Sequence, residues 1–199
     1  MSNSVVVLQN GYCKPQKDGK GFAADCSITL IKSKEAGNIL IDTGGPWNKD
    51  KLLSLLEEQN LNVKDITTLV CTHGHSDHVG NLNLFSCKTI VSRDISVGDL
   101  YENFSFESQK SYKLSDDIDI IPTPGHTHSD VSVVVRNTNH GTIVVAGDLF
   151  ESEEDQYDES LWKNNSENPQ LQAVHRQKVL QIANHIVPGH GPMFAVKKS

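Results

Sequence analysis

Three imidazoles and a carboxylate fall within six residues of the chain, from His73 to His78. The segment has the form His-x-His-x-Asp-His and follows Ile66 to Cys71, an apolar, β-branched run that predicts a buried strand. Its polar side chains therefore leave the carboxyl end of a strand, where α/β proteins place functional loops. Neutral imidazoles and carboxylates are usual ligands of zinc and similar divalent ions. A histidine-rich surface loop is the simpler alternative, but the density of the motif beside a buried strand disfavours it.

Three further strand ends carry side chains of the same kinds. A Pro-Gly pair precedes both His126 and His190, and a glycine precedes Asp148, each after a short apolar run. Glycine lets the backbone turn sharply and approach a shared point. The sequence therefore predicts one metal centre whose candidate ligands are His73, His75, Asp77, His78, His126, Asp148 and His190.

This arrangement resembles the metallo-β-lactamase superfamily, in which His-x-His-x-Asp-His is followed by His, Asp and His at later strand ends. The resemblance runs from the strand before Asp42 to the Pro-Gly-His-Gly near the C-terminus, and so covers nearly the whole chain. A narrower resemblance, to a family of small animal proteins within the superfamily, lies in four local segments. These are Gly45 to Trp47, Thr72 to Phe85, Asp130 to Val135, and Ala146 to Glu151.

The superfamily resemblance implies how the ligands divide between two ions. The first ion is held by His73, His75 and His126, and the second by Asp77, His78 and His190. Asp148 bridges them, because a carboxylate has two oxygens. Two divalent ions about 3.5–4 Å apart lower the pKa of a shared water, so that a bridging hydroxide is available near neutral pH. We expect two ions per chain, zinc foremost with iron or manganese as alternatives, and Asp77 as a catalytic residue.

Asp42 follows the strand Ile39 to Ile41 and is not a ligand in this scheme. Two interpretations remain open for it. The carboxylate either orients the ligand loop through hydrogen bonds or simply ends its strand in a turn.

Hydrolysis is the expected reaction. Superfamily members that reduce oxygen or nitric oxide at two irons carry glutamate where this chain has His75, which disfavours redox chemistry. One-iron persulfide dioxygenases share the motif and remain an alternative. A non-catalytic scaffold is disfavoured, because degenerate members lose ligands and all of them are present here.

The narrower resemblance implies an endoribonuclease that acts on the 3′ end of histone pre-mRNA, with single-stranded RNA as its partner. The net charge of −7 and an acidic segment after Asp148 argue against a nucleic-acid substrate. Lys14, Lys17 and Lys20 argue for one, because in this family their loop often overhangs the metal cleft and Phe22 adjoins them. A solvated, flexible hairpin is the plainer interpretation of that loop. The alternative function is a small thioester or ester hydrolase of the glyoxalase II type.

Composition sets consistent limits. A chain of 199 residues with 37% hydrophobic content predicts one domain over residues 1–199. We expect a protein of the cytoplasm and the nucleus that is not secreted, because Met1 to Asn10 lacks a basic region. No apolar run approaches the ~18 residues of a membrane span, so no membrane partner is expected, while a homodimer remains open. A Cys13–Cys26 disulfide is conceivable but lacks the secretion signal that would favour it.

The apolar runs predict an α/β fold. Asn48 is expected to cap a helix whose apolar stripe is Leu52, Leu53, Leu55 and Leu56. Asn168-Pro169 is expected to open another that carries Leu171, Val174, Val179 and Ile182. A short helix is expected from Val79 to Phe85. Strands are predicted at Val5–Leu8, Ser27–Lys32, Asn38–Asp42, Thr67–Thr72, Lys88–Ser92, Ile118–Thr123, Val131–Arg136, Thr142–Gly147 and His185–Val187. Two such strand sets with helices outside predict a four-layer αββα sandwich, as the resemblance also implies.

Overall fold

The computed structural model describes residues 2–197. Its helices are α1 (Lys49–Glu58), α2 (Ser76–Val79), α3 (Ser160–Lys163) and α4 (Pro169–Ile182). Its strands are β1 (Ser4–Gln9), β2 (Tyr12–Pro15), β3 (Phe22–Asp25), β4 (Ile28–Ser33), β5 (Gly37–Ile41), β6 (Thr68–Cys71), β7 (Lys88–Val91), β8 (Asp94–Val97), β9 (Leu100–Tyr101), β10 (Tyr112–Lys113), β11 (Ile118–Pro122), β12 (Val131–Thr138), β13 (Gly141–Gly147), β14 (His185–Pro188) and β15 (Phe194–Ala195).

Two mixed sheets stack face to face. The first has the order β1-β4-β5-β6-β7-β8-β9 and the second β10-β11-β12-β13-β14-β15. Alternate side chains fill the space between them, with Ile41 and Val70 from the first sheet packing among Ile120, Val133 and Val145 from the second. Each sheet buries one face against the other sheet, so its outer face must be covered by other elements.

Helices provide that cover on both outer faces. Leu52 and Leu56 of α1 pack on the outer face of the first sheet, and Val179 of α4 packs on that of the second. The result is the α/β, four-layer αββα sandwich predicted from the sequence.

The sheets bring several strand ends to one edge of the molecule. β5, β6 and β7 are parallel, so their carboxyl ends lie together. In the second sheet β13 and β14 are parallel, and β11 runs in the same direction because it is antiparallel to β12, which is antiparallel to β13. A hydrogen bond from Val131 N to Thr72 O, at 2.9 Å, ties the two edges together. All the candidate ligands follow strands that end here.

Two expectations about helix starts were wrong. The helix expected over Val79 to Phe85 begins earlier, as α2, and only a 3₁₀ turn, Leu82–Leu84, follows it. Asn48 precedes α1 but makes no side-chain cap, because its amide donates to the buried carboxylate of Asp25 instead. Asn168 does cap α4, accepting a 3.0 Å hydrogen bond from Leu171 N.

The predicted apolar stripe of α4 was also wrong. Val174 and Ile182 are exposed, whereas Gln172 and Arg176 are buried beside Val179. Arg176 donates to Asp155 Oδ1 at 2.7 Å and lies 4.0 Å from the Phe150 ring centroid. A buried guanidinium needs such a partner, so α4 carries polar groups inward where an apolar stripe was expected.

The nine predicted strands are all present within one or two residues of their expected bounds. The strands not predicted are β2 and β3, which form the hairpin around the lysine loop, and the short strands β8, β9, β10 and β15. All four cysteines have free thiols, so the Cys13–Cys26 disulfide does not form. Within residues 2–197, no helix has both the length and the apolar character needed to cross a membrane.

Candidate metal centre

Five segments at the shared edge contribute side chains to one cluster. The loop after β6 and helix α2 supply His73, His75, Asp77 and His78, while the turns after β11, β13 and β14 supply His126, Asp148 and His190. The structure thus brings together all seven candidate ligands predicted from the sequence.

The first group consists of His73, His75, His126 and Asp148. His75 Nδ1 lies 2.9 Å from His73 Nε2 and 3.1 Å from His126 Nε2. Asp148 Oδ2 lies 3.5 Å from His73 Nε2 and 3.3 Å from His126 Nε2. Ligands placed tetrahedrally at 2.0–2.1 Å from zinc are separated by about 3.3 Å, so these distances fit one ion.

The second group consists of Asp77, His78 and His190, again beside Asp148. His78 Nε2 lies 3.2 Å from Asp148 Oδ1, and His190 Nε2 lies 3.3 Å from Asp148 Oδ2. Asp77 Oδ2 is 3.9 Å from His78 Nε2 and 3.7 Å from His190 Nε2. The distances of His78 and His190 from Asp148 match the tetrahedral spacing, and those of Asp77 are longer but still place its carboxylate among the same ligand atoms.

Buried atoms without a hydrogen-bond partner show that the cluster suits cations. His78 Nε2 and Asp148 Oδ1 are both buried, face each other, and have no partner among the described residues. Such atoms carry a free-energy cost unless something satisfies them. Because the converging atoms are imidazole nitrogens and carboxylate oxygens, a divalent ion on each side of Asp148 fits the donor set. The cluster is suited to two metal ions.

Hydrogen bonds at the far ring nitrogens fix two of these imidazoles. His78 Nδ1 lies 2.9 Å from Asp42 Oδ2, and His190 Nδ1 lies 3.1 Å from the Asp25 carbonyl oxygen. A ring that donates through Nδ1 presents the lone pair of Nε2 to the cluster. Both side chains are therefore held in the tautomer that can bind a metal.

Asp42 acts from behind the cluster. Its Oδ1 accepts from Thr72 N at 2.8 Å, and its Oδ2 contacts His78 Nδ1, so one carboxylate orients both the loop and a candidate ligand. The residue has a φ of 59°, which is unfavourable for a side chain other than glycine. A simple turn aspartate does not account for these contacts.

The pKa shifts of the first group favour neutral rings. Burial lowers the pKa of His73 well below its ordinary value, and nearby His78 lowers it further. Burial also lowers the pKa of His126. Neutral imidazole is the form that binds a metal, so these two rings are ready to do so at neutral pH.

The second group attracts positive charge. Burial opposes protonation of His190, but Asp148 outweighs it and raises the pKa of His190 to about 9. Burial likewise opposes protonation of His78, and the carboxylates of Asp148 and Asp42 together raise its pKa well above the ordinary value. The carboxylates thus create a negative site that protons or a metal ion can neutralise.

Two glycines allow the close packing around the bridging residue. Gly147 has a φ of 54°, and a Cβ there would lie 2.6 Å from Thr72 Oγ1. A Cβ at Gly189 would collide with Asp148 Oδ1. Glycine is therefore required at both positions, because the backbone lies too close to its neighbours to leave room for a Cβ.

A cleft opens over the cluster beneath the β2–β3 hairpin. One lobe, of about 240 Å³, includes His75, His126 and Asp148 in its lining. The adjoining lobe, of about 380 Å³, reaches out past His190 to Leu161. Cys13 and Phe22 of the hairpin line both lobes, so the hairpin overhangs the centre.

The three lysines of this hairpin do not line the cleft. Cys13 pairs with Ala24, and Pro15 with Phe22, and these residues face the cleft. Since side chains alternate along a strand, Lys14 points to the other side, where its Nζ lies 5.7 Å from the Tyr12 ring centroid. Lys17 and Lys20 are exposed in the turn at the hairpin tip.

Sequence reasoning missed three residues of the cleft: Cys13, Glu151 and Asn165. Burial and then nearby Asp148 raise the pKa of Glu151 to about 8, and its Oε2 is 3.9 Å from His190 Nε2. The sequence places Glu151 in an acidic segment, but the turn after β13 determines that its side chain points into the cleft. Of the same segment, Asp155 is neutralised by Arg176.

The sequence matches proteins of known family. The model of the metallo-beta-lactamase superfamily matches residues 22–119. Metallo-beta-lactamase domain-containing protein 1 of Xenopus laevis is 45% identical over 98% of this chain and 83% of its own length. The human protein of that name is 39% identical over 97% of this chain and 82% of its own length.

Solved structures share the fold at low identity. An N-acyl homoserine lactone hydrolase, with its product bound at the catalytic metal centre, has a TM-score of 0.68 and 17% identity over 96% of this chain and 92% of its own. A dizinc quorum-quenching lactonase has a TM-score of 0.65 and 19% identity over 90% of this chain and 78% of its own. At this identity the likeness concerns the fold.

We predict that Asp77→Ala and His190→Ala each reduce the metal content from two ions per chain to one. Each change removes a donor from the second group and leaves the first intact, so hydrolysis should fall by at least about 100-fold while the fold persists. Elemental analysis after dialysis measures the metal content, circular dichroism measures the retention of the fold, and an activity assay measures the loss of hydrolysis.

The matched control is His128→Ala. This side chain is 84% exposed and lies 3.7 Å from Glu167, away from the cluster, although its residue is two positions from His126. The variant should retain both ions. Loss of an ion from His128→Ala, or retention of both in Asp77→Ala, would contradict the assignment.

Proposed function

The chain belongs to the metallo-beta-lactamase superfamily, in the family of metallo-beta-lactamase domain-containing protein 1, and from this we propose that it is a two-metal endoribonuclease. The proposed substrate is single-stranded RNA, at the 3′ end of histone pre-mRNA. The reaction class rests on one observation above all: Asp148 lies between the two groups of ligand atoms. Its Oδ1 lies against His78, and its Oδ2 lies against both His126 and His190.

The protein's own residues prepare the centre for this reaction. His73, His75 and His126 would hold one ion, and Asp77, His78 and His190 the other, with Asp148 between them. Zinc suits this donor set. When bound, two such ions activate water and stabilise the negative charge that develops on a phosphoryl or carbonyl group. Asp42 keeps the His78 ring in place, and Asp25 does so for His190.

The cleft supports an extended substrate with planar groups. Phe22 is 64% exposed and lines both lobes from above. An aromatic face beside a metal centre can stack an unpaired base, and stacking needs no particular sequence. Asn165, which also lines both lobes, offers an amide to a polar edge of the same group.

A small thioester or ester hydrolase is the second candidate. The outer lobe is lined by Cys13, Pro15, Phe22 and Leu161, which suit an acyl chain. Among the described residues, no lysine or arginine lines either lobe. An apolar lobe of this size would hold a small apolar group next to the ligands of the second ion.

A substrate panel distinguishes the two functions. At equal enzyme concentration we expect cleavage of histone-type 3′ RNA, with a 5′-phosphate and a 3′-hydroxyl as products of in-line attack by water. Because that attack does not use the 2′-hydroxyl, a 2′-deoxy substitution at the cut should be tolerated. Unrelated RNA, single-stranded DNA and acyl thioesters complete the panel, with His73→Ala as the background. Rapid thioester turnover without RNA cleavage above that background would refute the nuclease.

We further predict that Phe22→Ala raises the KM for RNA about tenfold, because stacking of one base contributes about 1–3 kcal/mol. Tyr12→Ala is the matched control, since Tyr12 is an aromatic residue of the same hairpin that faces away from the cleft. Steady-state kinetics on one RNA measures both variants. Equal KM values for the two would show that Phe22 does not contact the substrate.

A further inference from the structure

A second pocket, of about 440 Å³, lies at the ligand-bearing edge of the molecule. Its apolar floor comes from Phe106, Ile121 and Pro122, and its rim carries basic side chains. These are Lys110, in the loop between β9 and β10, and His175 and Lys178 of α4. In a chain with a net charge of −7, two lysines beside one pocket are a local departure. The lowered pKa of His175 keeps its ring neutral at neutral pH.

Arg93 adds a third positive charge to this region. Arg136 and Arg176 each form an ion pair with an aspartate, at 2.6 and 2.7 Å. Arg93 has no such pair among the described residues, and its buried Nε has no hydrogen-bond partner there. After the effect of burial, Lys178 and Arg93 both lower the pKa of His175, which shows that the positive groups lie near one another.

The pocket adjoins the metal centre on the side of His126. Thr123 lines the pocket, and the chain continues from it through Pro124 and Gly125 to His126. Arg93 follows β7, whose carboxyl end lies beside that of β6, where His73 begins the ligand loop. The outer lobe beneath the hairpin lies instead on the side of His190. A strand that crosses the centre would meet the hairpin on one side and this pocket on the other.

We propose that this pocket binds backbone phosphates of the single-stranded RNA that crosses the metal centre, an inference that rests on the proposed function. Lysine and arginine groups without carboxylate partners are free to contact phosphate oxygens. The apolar floor accommodates a ribose or a base between successive phosphates. The pocket also supplies positive charge that the hairpin cleft lacks.

The test compares RNA binding by two charge-matched double variants. Lys110→Gln/Lys178→Gln removes two positive charges from the pocket. Lys34→Gln/Lys64→Gln removes two from exposed lysines that precede β5 and β6, at the opposite edge of the first sheet. The probe is a single-stranded RNA of about a dozen nucleotides with a hydrolysis-resistant phosphorothioate backbone. Its binding to the metal-loaded protein is followed by fluorescence anisotropy over a range of salt concentrations.

We expect the pocket variant to bind about tenfold more weakly and to lose about 1.4 units of salt slope, or about 0.7 per phosphate contact. The control should match the wild type. Bis(4-nitrophenyl) phosphate carries a single phosphate and cannot occupy the metal centre and the pocket at once, so its turnover should be equal in all three proteins. Arg93→Gln should weaken RNA binding in the same direction.

Three results would overturn the inference. If the wild type binds and cuts RNA and the pocket variant binds it equally well, the inference fails while the nuclease function stands. If the wild type neither binds nor cuts RNA, the nuclease function fails and the inference fails with it. If inorganic phosphate displaces the RNA at an equal concentration of phosphate groups, the pocket serves a small phosphorylated ligand instead of a strand.

Discussion

The structure depends on the convergence of six polar side chains on one buried carboxylate, Asp148. In a low-dielectric site, crowded carboxylates repel one another and imidazole nitrogens lack hydrogen-bond partners, unless cations lie between them. His78 shows the constraint clearly, because it lies between Asp42 and Asp148, with both carboxylates within hydrogen-bonding distance of its ring. Metal ions bound in this cluster would therefore stabilise this edge as well as supply its chemistry.

The fold makes this convergence possible by joining two sheets at their ligand-bearing edges. The backbone of Val131 donates to Thr72 across the sheets, and Ser27 N donates to Gly189 O at 2.6 Å. Helix α4 supports the bridging residue from outside, since Gln172 Nε2 donates to the Asp148 carbonyl at 3.0 Å. Arg176 donates to the Leu149 carbonyl at 2.7 Å. The inner face of α4 is thus polar because it holds the turn that carries Asp148.

The features that could be predicted from the sequence are those that depend on a local pattern of residues. The strands with continuous apolar runs, the motif after β6 and the glycines before Asp148 and His190 could all be recognised, because each signal lies within a few residues. The two-residue strands could not, since an edge strand needs no apolar run. Nor could the inner face of α4, where tertiary hydrogen bonds override the expected apolar stripe. Glu151 and Arg93 join their sites through turns whose direction no local pattern specifies.

One measurement tests the two-ion centre directly: anomalous X-ray diffraction from crystals of the zinc-loaded protein, recorded on both sides of the zinc absorption edge. We expect two peaks of similar height about 3.5–4 Å apart. One should lie among His73, His75 and His126, the other among Asp77, His78 and His190, with an oxygen of Asp148 at each. A single peak, with His78 and His190 bound to nothing but Asp148, would contradict the two-metal centre and favour one-ion chemistry.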